Sequence, residues 1–341
     1  MKFDFIIGNP PYQDEVVGEQ KAYAPPIYNI FMDEAYKVSD KVLLIHPARF
    51  LFNAGGTPKE WNEKMLADPH FKVLWHEHNS AKVFPNTDIK GGVDITYRDA
   101  NCNFGAIETY TAFEELNGLL HKVRTHKDFN SLSTIIYNRG LYRFSKKIYA
   151  DYPEEMKQFT DSRIGASSFE RLPNLFTVEE PKDNNKYIQI LGLLKGKREY
   201  RWFNKNYVTS VDNLDKFKVF VPSANGSGAL GEVLSTPVIG QPVIGHTETF
   251  LSIGCFDTEA EANACLKYVK SKFARVMLGI LKITQHNSPE KWKWVPIQDF
   301  TPASDIDWSK SIPEIDKQLY AKYGLNKAEI DFIETHVKEM A

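Results

Sequence analysis

The sequence predicts an α/β fold, because short apolar segments alternate with amphipathic ones over the first hundred residues. The strand candidates are 3–7, 42–47, 71–76 and 93–98, and the helix candidates are 27–38 and 58–67. Gly8 and Pro47 close the first two strand candidates abruptly. Alternation of this kind is typical of βαβ units, so a mostly parallel sheet is expected.

The second half of the chain has a different pattern. A helical stretch at 111–124 leads into an aromatic-rich region with strand candidates at 187–194, 199–203, 217–221, 237–244 and 249–255. A long helix is expected over 258–280, followed by two amphipathic helices over 313–340 that separate at Gly324. Because 341 residues exceed one compact core, two domains are expected, with the main boundary between 105 and 150.

Composition narrows the functional classes. The cysteines are Cys102, Cys255 and Cys265, with no CxxC pair, which argues against structural zinc and fits a reducing cytoplasm. No metal is expected. The apolar run at the N-terminus is too short for a signal peptide, and no stretch reaches the about 18 apolar residues of a membrane span. The net charge of −2 neither supports nor excludes DNA binding.

The segment FDFIIGNPPY at 3–12 carries the clearest chemical signal. An exocyclic amine on a base is a poor nucleophile, since its lone pair is delocalised into the ring. The side-chain carbonyl of Asn9 and the backbone carbonyl of Pro10 can accept hydrogen bonds from such an amine, and two prolines stiffen the loop. Tyr12 offers a face for stacking on a flipped base. The structural alternative is a strand followed by a proline turn.

Residues 3–12 resemble the catalytic motif of class I S-adenosylmethionine-dependent methyltransferases that act on planar amines of DNA, RNA or protein glutamine. The segments VLLIHPARFL (42–51) and AKVFPNTDIKGGVDITYRD (81–99) resemble motifs of the gamma-class, Taq-type adenine methyltransferases of restriction-modification systems. The resemblance implies part of a Rossmann-like methyltransferase sheet and S-adenosylmethionine as cofactor. It also implies that Phe84 packs against the flipped adenine and that Pro11 forms the floor of the cofactor pocket.

Two features near Phe84 have structural alternatives. Phe84 itself could be a core aromatic residue. The pair Gly91-Gly92 could form a phosphate loop, but a sharp turn into strand 93–98 is favoured because no helix is expected after it.

The sequence departs from the family in one respect. Gamma-class enzymes place a glycine-rich cofactor loop and an acidic ribose contact upstream of this motif, whereas only eight residues precede Asn9 here. Three explanations are open: the chain is a fragment, a companion polypeptide supplies the other half, or catalysis has been lost. The companion would dock at the exposed edge of strand 3–7.

Residues 151–300 resemble the target-recognition domains of combined restriction-methylation enzymes. Within them, four basic side chains are interleaved with aromatic ones and are expected to contact double-stranded DNA: Lys195, Lys197, Arg198 and Arg201. The alternative is a solvated strand edge with protective lysines. A polar cluster at Lys282, Gln285, His286 and Asn287 could contact DNA or cap a helix.

The sequence thus predicts a mixed α/β protein with four parts. These are a catalytic methyltransferase part (1–105), a helical connector (106–150), a mixed α+β target-recognition domain (151–300) and a helical tail (301–341). The predicted reaction is methyl transfer to the exocyclic amine of adenine in a specific DNA sequence, in the cytoplasm. The alternative from another class is a non-catalytic DNA-reading or interaction subunit.

Overall fold

The computed structural model describes residues 2–14, 24–52, 56–77, 79–87, 89, 91–111, 113–226, 229–282 and 285–340. The chain divides into two compact units, Met1–Asn117 (unit 1) and Gly118–Ala341 (unit 2). None of the helices in the described ranges is long and apolar enough to cross a membrane.

Unit 1 contains one four-stranded sheet. Its strands are β1 (Ile6–Gly8), β2 (Lys41–Pro47), β3 (Phe71–Glu77) and β4 (Val93–Asp99), in the order β1-β2-β4-β3. Strand β1 runs parallel to β2, whereas β4 is antiparallel to both of its neighbours. Strands β2, β3 and β4 lie where the sequence predicts them, whereas β1 begins at Ile6 rather than at Phe3.

The expectation of a mostly parallel sheet holds for the directions of β1, β2 and β3, and among the described strands of unit 1 only β4 runs the other way. A parallel crossover usually needs a helix in the connection. Helices occupy the connections before β2 and before β3, but between β3 and β4 the described residues form only a short 3₁₀ turn at Ser80–Lys82. Strand β4 therefore returns antiparallel and inserts between β2 and β3.

One face of this sheet is covered by two helices. Helices α1 (Tyr28–Val38) and α2 (Lys59–Ala67) lie where the apolar periodicity predicts them. Their buried side chains form a core with the sheet, which includes Tyr28, Met32, Val42, Leu44, Phe50, Trp61, Met65 and Phe71. Burial of large apolar side chains of this kind is the main stabilising contribution in a small unit.

The opposite face and the free edge of the sheet expose large apolar side chains. Ile7 on β1 is 75% exposed, Phe5 just before β1 is 42% exposed, and Trp75 on β3 is 43% exposed. The register places Ile45, Ile95 and Trp75 side by side in one row across this face. Among the described strands, β1 pairs only with β2, so its other edge is free.

Unit 2 begins within helix α3 (Glu114–Thr125), which has the position expected from the sequence. Short elements follow: β5 (Ile136–Tyr137), α4 (Lys146–Asp151), α5 (Pro153–Met156) and α6 (Ser168–Arg171). Six strands come next: β6 (Tyr187–Leu194), β7 (Lys197–Asn204), β8 (Phe217–Pro222), β9 (Val238–Gly240), β10 (Ile244–His246) and β11 (Phe250–Phe256). Together with β5, these strands form two sheets, β10-β6-β7 and β5-β11-β8-β9.

The C-terminal helices of unit 2 correct one prediction. The stretch 258–280 is not one helix but two, α7 (Glu259–Lys270) and α8 (Lys272–Gly279). Ser271 ends the first and caps the second, because its side chain accepts a hydrogen bond from the backbone N–H of Ala274. Helices α9 (Ile312–Lys322) and α10 (Lys327–His336) follow, and Gly324 separates them as expected.

Candidate functional site

The loop that follows β1 leaves the sheet before the neighbouring strand β2 ends. Strand β1 ends at Gly8, opposite Leu44, while β2 continues to Pro47. Pro10 and Pro11 have no N–H groups and cannot extend the ladder, so the chain turns away. Asn9 is exposed, and its side chain makes no hydrogen bond to any residue that the structure describes. Its carbonyl oxygen is therefore available to a ligand.

The far end of this loop is anchored to the segment before α1. The backbone carbonyl of Tyr12 accepts a hydrogen bond from Ile27 N (3.2 Å), and Asp14 N donates to Pro25 O (3.0 Å). The half-buried Tyr12 ring packs against the core of unit 1. Its hydroxyl has no hydrogen-bond partner within the described ranges. Burial, and secondarily the Asp94 carboxylate, raise the pKa of Tyr12 to about 12.

A second loop brings Phe84 to Tyr12. The buried hydroxyl of Ser80 organises this loop, because it accepts from Ile89 N (2.8 Å) and donates to Thr87 O (3.2 Å). Phe84 N donates to Ser80 O (2.8 Å), which fixes the backbone beside the ring. The ring centroids of Tyr12 and Phe84 lie 6.3 Å apart, at an interplanar angle of 65°. The structure thus brings together the two aromatic residues that the sequence proposes as the base holders.

The edge-to-face arrangement of these rings has a consequence for ligand entry. A base that stacks on both rings needs parallel faces about 7 Å apart, twice the roughly 3.5 Å contact distance between carbon atoms. Because the Tyr12 and Phe84 rings are inclined at 65° to each other, a flat base cannot stack on both of them in this arrangement. One ring must therefore turn before a base can be held between them.

A polar row crosses the sheet two residues beyond the end of β1. His46 on β2, Asp94 on β4 and His76 on β3 are register neighbours. His46 and Asp94 are fully buried, with 2.9 Å between His46 Nδ1 and Asp94 Oδ1. This is a close contact rather than an aligned hydrogen bond, since neither Asp94 oxygen accepts one from the described residues. His46 Nε2 instead contacts Thr96 Oγ1 at 2.7 Å.

The sequence alone does not predict this row. The strands that carry it were correctly expected, but a local pattern contains no information on which residues face each other across strands. A buried carboxylate near the Asn9–Tyr12 loop favours positive charge in its surroundings, because little solvent screens it. Such charge develops on an amine that is being alkylated.

The glycine pair before β4 forms a turn, as favoured. Gly91 and Gly92 both have left-handed backbone conformations, with φ of 85° and 82°. A side chain at Gly91 would also meet Arg49 Cγ at 3.1 Å. Ala48 N donates to Gly92 O (3.1 Å), which ties the turn to the residues after β2. Pro11 lies exposed in the preceding loop, beside Asn9.

The four basic residues proposed to bind DNA lie on one hairpin of unit 2. Strands β6 and β7 are joined by a turn at Lys195 and Gly196, both with positive φ. Lys195 and Lys197 are exposed at its tip. They form no ion pair with the acids that the structure describes.

The two arginines of this hairpin are held by contacts within unit 2. Arg198 donates to the backbone carbonyls of Thr236 (2.6 Å) and Ser235 (3.1 Å). Its guanidinium lies 5.4 Å from the centre of the Phe250 ring. Arg201 pairs with Glu199 and keeps only 16% of its side chain exposed. Of these four cations, Lys195 and Lys197 are the two whose side chains have no partner among the residues that the structure describes.

Two members of the polar cluster, Lys282 and Asn287, are buried in unit 2, whereas Gln285 and His286 are exposed. Lys282 is buried and donates to Asn225 O (2.9 Å) and to Glu232 Oε1 (2.7 Å). The buried Asn287 side chain donates to Pro222 O and accepts from Trp292 Nε1. Within the described ranges, no group of three His, Cys, Asp or Glu side chains is arranged to hold a metal ion.

Comparison with known proteins gives a consistent picture for unit 1. Residues 1–84 match the model of a family described as Eco57I restriction-modification methylase. An uncharacterized adenine-specific methylase of Mycoplasma pneumoniae is 26% identical over 178 residues. That match covers 50% of this chain and 40% of the relative. The chain thus spans less than half of the length of this relative.

Two solved structures align with most of the chain at low similarity. The type IIG restriction endonuclease BpuSI aligns with 93% of this chain and 50% of its own, at 10% identity and a TM-score of 0.33. The type IIL restriction-modification enzyme MmeI, in complex with DNA, aligns with 98% of this chain and 56% of its own. The identity is again 10% and the TM-score is again 0.33. TM-scores of this size do not assign a fold.

Proposed function

We propose that this chain carries the base-holding half of a DNA methyltransferase that methylates the exocyclic amine of adenine in a restriction-modification system. The contact between Tyr12 and Phe84 is the observation that carries this proposal, since two loops far apart in sequence converge there. Asn9 stands exposed in the same loop as Tyr12. The family match at 1–84 covers all of these residues.

The residues of the two loops and the buried carboxylate have different roles in the proposed chemistry. The Asn9 side-chain carbonyl and the Pro10 backbone carbonyl accept hydrogen bonds from the two N–H groups of the amine. These bonds localise the lone pair on nitrogen, and fixed acceptors need no reorganisation during the reaction. Tyr12 and Phe84 hold the flipped base by stacking. The Asp94 carboxylate, close enough to raise the pKa of Tyr12, favours the positive charge that forms on the amine.

S-adenosylmethionine, the proposed cofactor, supplies an electrophilic methyl group when bound. The exposed, uncharged ring of Pro11 fits an apolar wall of its site and lies directly after the amine acceptors. We propose that a companion polypeptide provides the remaining wall. The free edge of β1 and the exposed side chains of Phe5 and Ile7 support this part of the proposal, because an uncovered apolar strand invites pairing.

Mass spectrometry of DNA tests the proposed reaction. DNA from a host that carries the native genetic locus should contain N6-methyladenine, and Phe84→Ala should slow its formation by roughly 5- to 150-fold. The matched control is Phe104→Ala, which removes another half-buried aromatic ring of unit 1. N4-methylcytosine in place of N6-methyladenine would contradict the assignment of adenine, and no modified base would contradict the methyltransferase assignment.

Calorimetric titration of the isolated chain tests the companion. A ligand that is held from one side loses most of its contacts but still loses its translational freedom, so S-adenosylmethionine should bind very weakly. Micromolar binding without a partner would show that the chain completes the site by itself.

A non-catalytic DNA-reading subunit is the second candidate, favoured by the charge of unit 2. Unit 1 holds 11 of the 42 Lys and Arg residues and 17 of the 44 Asp and Glu residues, so the excess of basic residues lies in unit 2. DNA binding by the chain without any base modification in the host would support this candidate.

A further inference from the structure

A hollow of about 300 Å³ on unit 2 is lined by three arginines. Arg139, Arg143 and Arg163 form its basic side, and Leu251, Asn287 and Glu290 belong to its remaining wall. These residues come from separate segments of unit 2, so no continuous stretch of sequence indicates the hollow.

The backbone that presents these arginines is fixed by hydrogen bonds. Asn138 Oδ1 accepts from Gly140 N (2.9 Å), which shapes the turn after Arg139. Arg143 and Arg163 face each other in an antiparallel bridge, and the carbonyl of Arg143 accepts from Thr209 N (2.9 Å). A ligand that binds there need not order the backbone, which lowers the cost of binding.

The three guanidinium groups differ in their partners. Arg163 is neutralised by Asp161 and Glu248, with 3.2 Å between its Nη1 and Glu248 Oε2. Among the described residues, the Arg143 side chain donates only to the hydroxyl of Ser162 (3.3 Å). Arg139 is exposed, and neither it nor Arg143 forms an ion pair with an acid in the described ranges.

This arrangement leaves positive charge in a concave position. Arg143 and Arg163 face each other across a backbone bridge, and the two acids that neutralise Arg163 leave Arg143 without an ion pair among the described residues. A guanidinium fork matches the oxygens of a phosphate, and it keeps its charge at any pH at which the protein is folded.

We propose that this hollow receives phosphates of double-stranded DNA, and that Arg139 and Arg143 are the main backbone contacts of unit 2. This inference rests on the proposed function, because it assumes that the chain acts on DNA. It also places the main DNA contact of unit 2 in the hollow rather than on the β6–β7 hairpin. The β6–β7 hairpin offers two lysines on an exposed turn, whereas the hollow offers two unpaired arginines on a fixed backbone.

DNA binding by the whole chain, measured over a range of salt concentrations, tests the proposal. The double variant Arg139→Gln with Arg143→Gln should reduce the log–log salt slope by about 1 to 2, and should lower affinity by roughly 10- to 60-fold at 0.1 M salt. The competing variant Lys195→Gln with Lys197→Gln removes the same charge from the hairpin tip, and the proposal expects it to change the slope less than the arginine variant does.

Glu290 provides a test of opposite sign. Its carboxylate lies in the wall of the hollow, where it opposes a phosphate. Glu290→Gln should therefore strengthen DNA binding by about 2-fold or more, as removal of like-charge repulsion predicts. Thermal unfolding of each variant shows whether it remains folded.

Four outcomes decide the proposal. A normal slope in the arginine variant, or a larger effect in the lysine variant, would overturn it. Loss of inorganic phosphate binding in the arginine variant with DNA binding unchanged would assign the hollow to free phosphate and would also overturn it. If the unchanged chain binds no DNA, the proposed function fails first, and this inference fails with it.

Discussion

The two units differ in how completely they cover their apolar surfaces. Unit 1 packs helices on one face of its sheet and leaves Phe5, Ile7 and Trp75 exposed on the other. Unit 2 encloses its sheets with more helices and buries even polar residues such as Lys218, which donates to three backbone carbonyls. Parallel strands are usually covered on both faces. Among the described residues, unit 1 leaves one face of its sheet open, and we propose that another polypeptide covers it.

Removal of either stacking ring should strongly reduce the proposed chemistry of unit 1 and leave DNA binding by unit 2 in place. Stacking of a base on an aromatic ring contributes about 1–3 kcal/mol, so Tyr12→Ala or Phe84→Ala should slow methyl transfer by roughly 5- to 150-fold. DNA affinity should change little, since we place the phosphate contacts on unit 2. Equal losses of affinity and rate would contradict this separation of roles.

The free energy of unfolding should depend on pH by up to about 2–3 kcal/mol because of one buried carboxyl group in unit 2. Asp316 accepts from the N–H groups of Lys272 (3.1 Å) and Phe273 (2.9 Å) at the start of α8. Burial nevertheless raises the pKa of its carboxyl to about 6. Because the folded state prefers the protonated form, the free energy of unfolding should fall as pH rises from about 4 to 6.

Urea unfolding of the whole chain at pH 4.5 and 7.5 measures this effect. Asp316→Asn cannot ionise, so its stability relative to the unchanged protein should improve between the two pH values. Parallel pH profiles for both proteins would show that Asp316 does not ionise in this range.

The exposed apolar face should control association with little effect on folding. Ile7→Lys in unit 1 should reduce self-association of the isolated chain in sedimentation experiments, because a charge on an edge strand opposes pairing. The matched control is Val178→Lys in unit 2, where the side chain is 70% exposed and that of Ile7 is 75% exposed. Both should change stability by less than about 0.5 kcal/mol. Equal effects on association would remove the distinction between the units.

The smallest effect is expected from Tyr12→Phe. The Tyr12 hydroxyl is buried and has no hydrogen bond to the described residues, so its removal should leave stability unchanged or slightly higher. The ring remains for stacking, and methyl transfer should stay within about 3-fold of normal. A large loss of rate would give the hydroxyl a chemical role.

The sequence predicted local structure well and distant contacts poorly. Strand 93–98 and helix 27–38 were predictable, because their apolar periodicity is local. The contact of Tyr12 with Phe84 followed from a motif resemblance and not from periodicity. The contact between His46 and Asp94 depends on strand register. The hydrogen bonds that hold the Arg198 side chain depend on backbone carbonyls of a loop distant in sequence. Neither has a sequence signature.

Methyl transfer by Asn9→Ala tests the central claim most directly. The host DNA assay should show loss of roughly 100-fold or more of N6-methyladenine formation, since one preorganised acceptor of the amine is removed. Asn101→Ala, another exposed asparagine of unit 1, is the control and should remain active. DNA binding by the purified Asn9→Ala chain should be unchanged. Methylation within a few-fold of normal would remove Asn9 from the mechanism and contradict the assignment of unit 1 as the base-holding half.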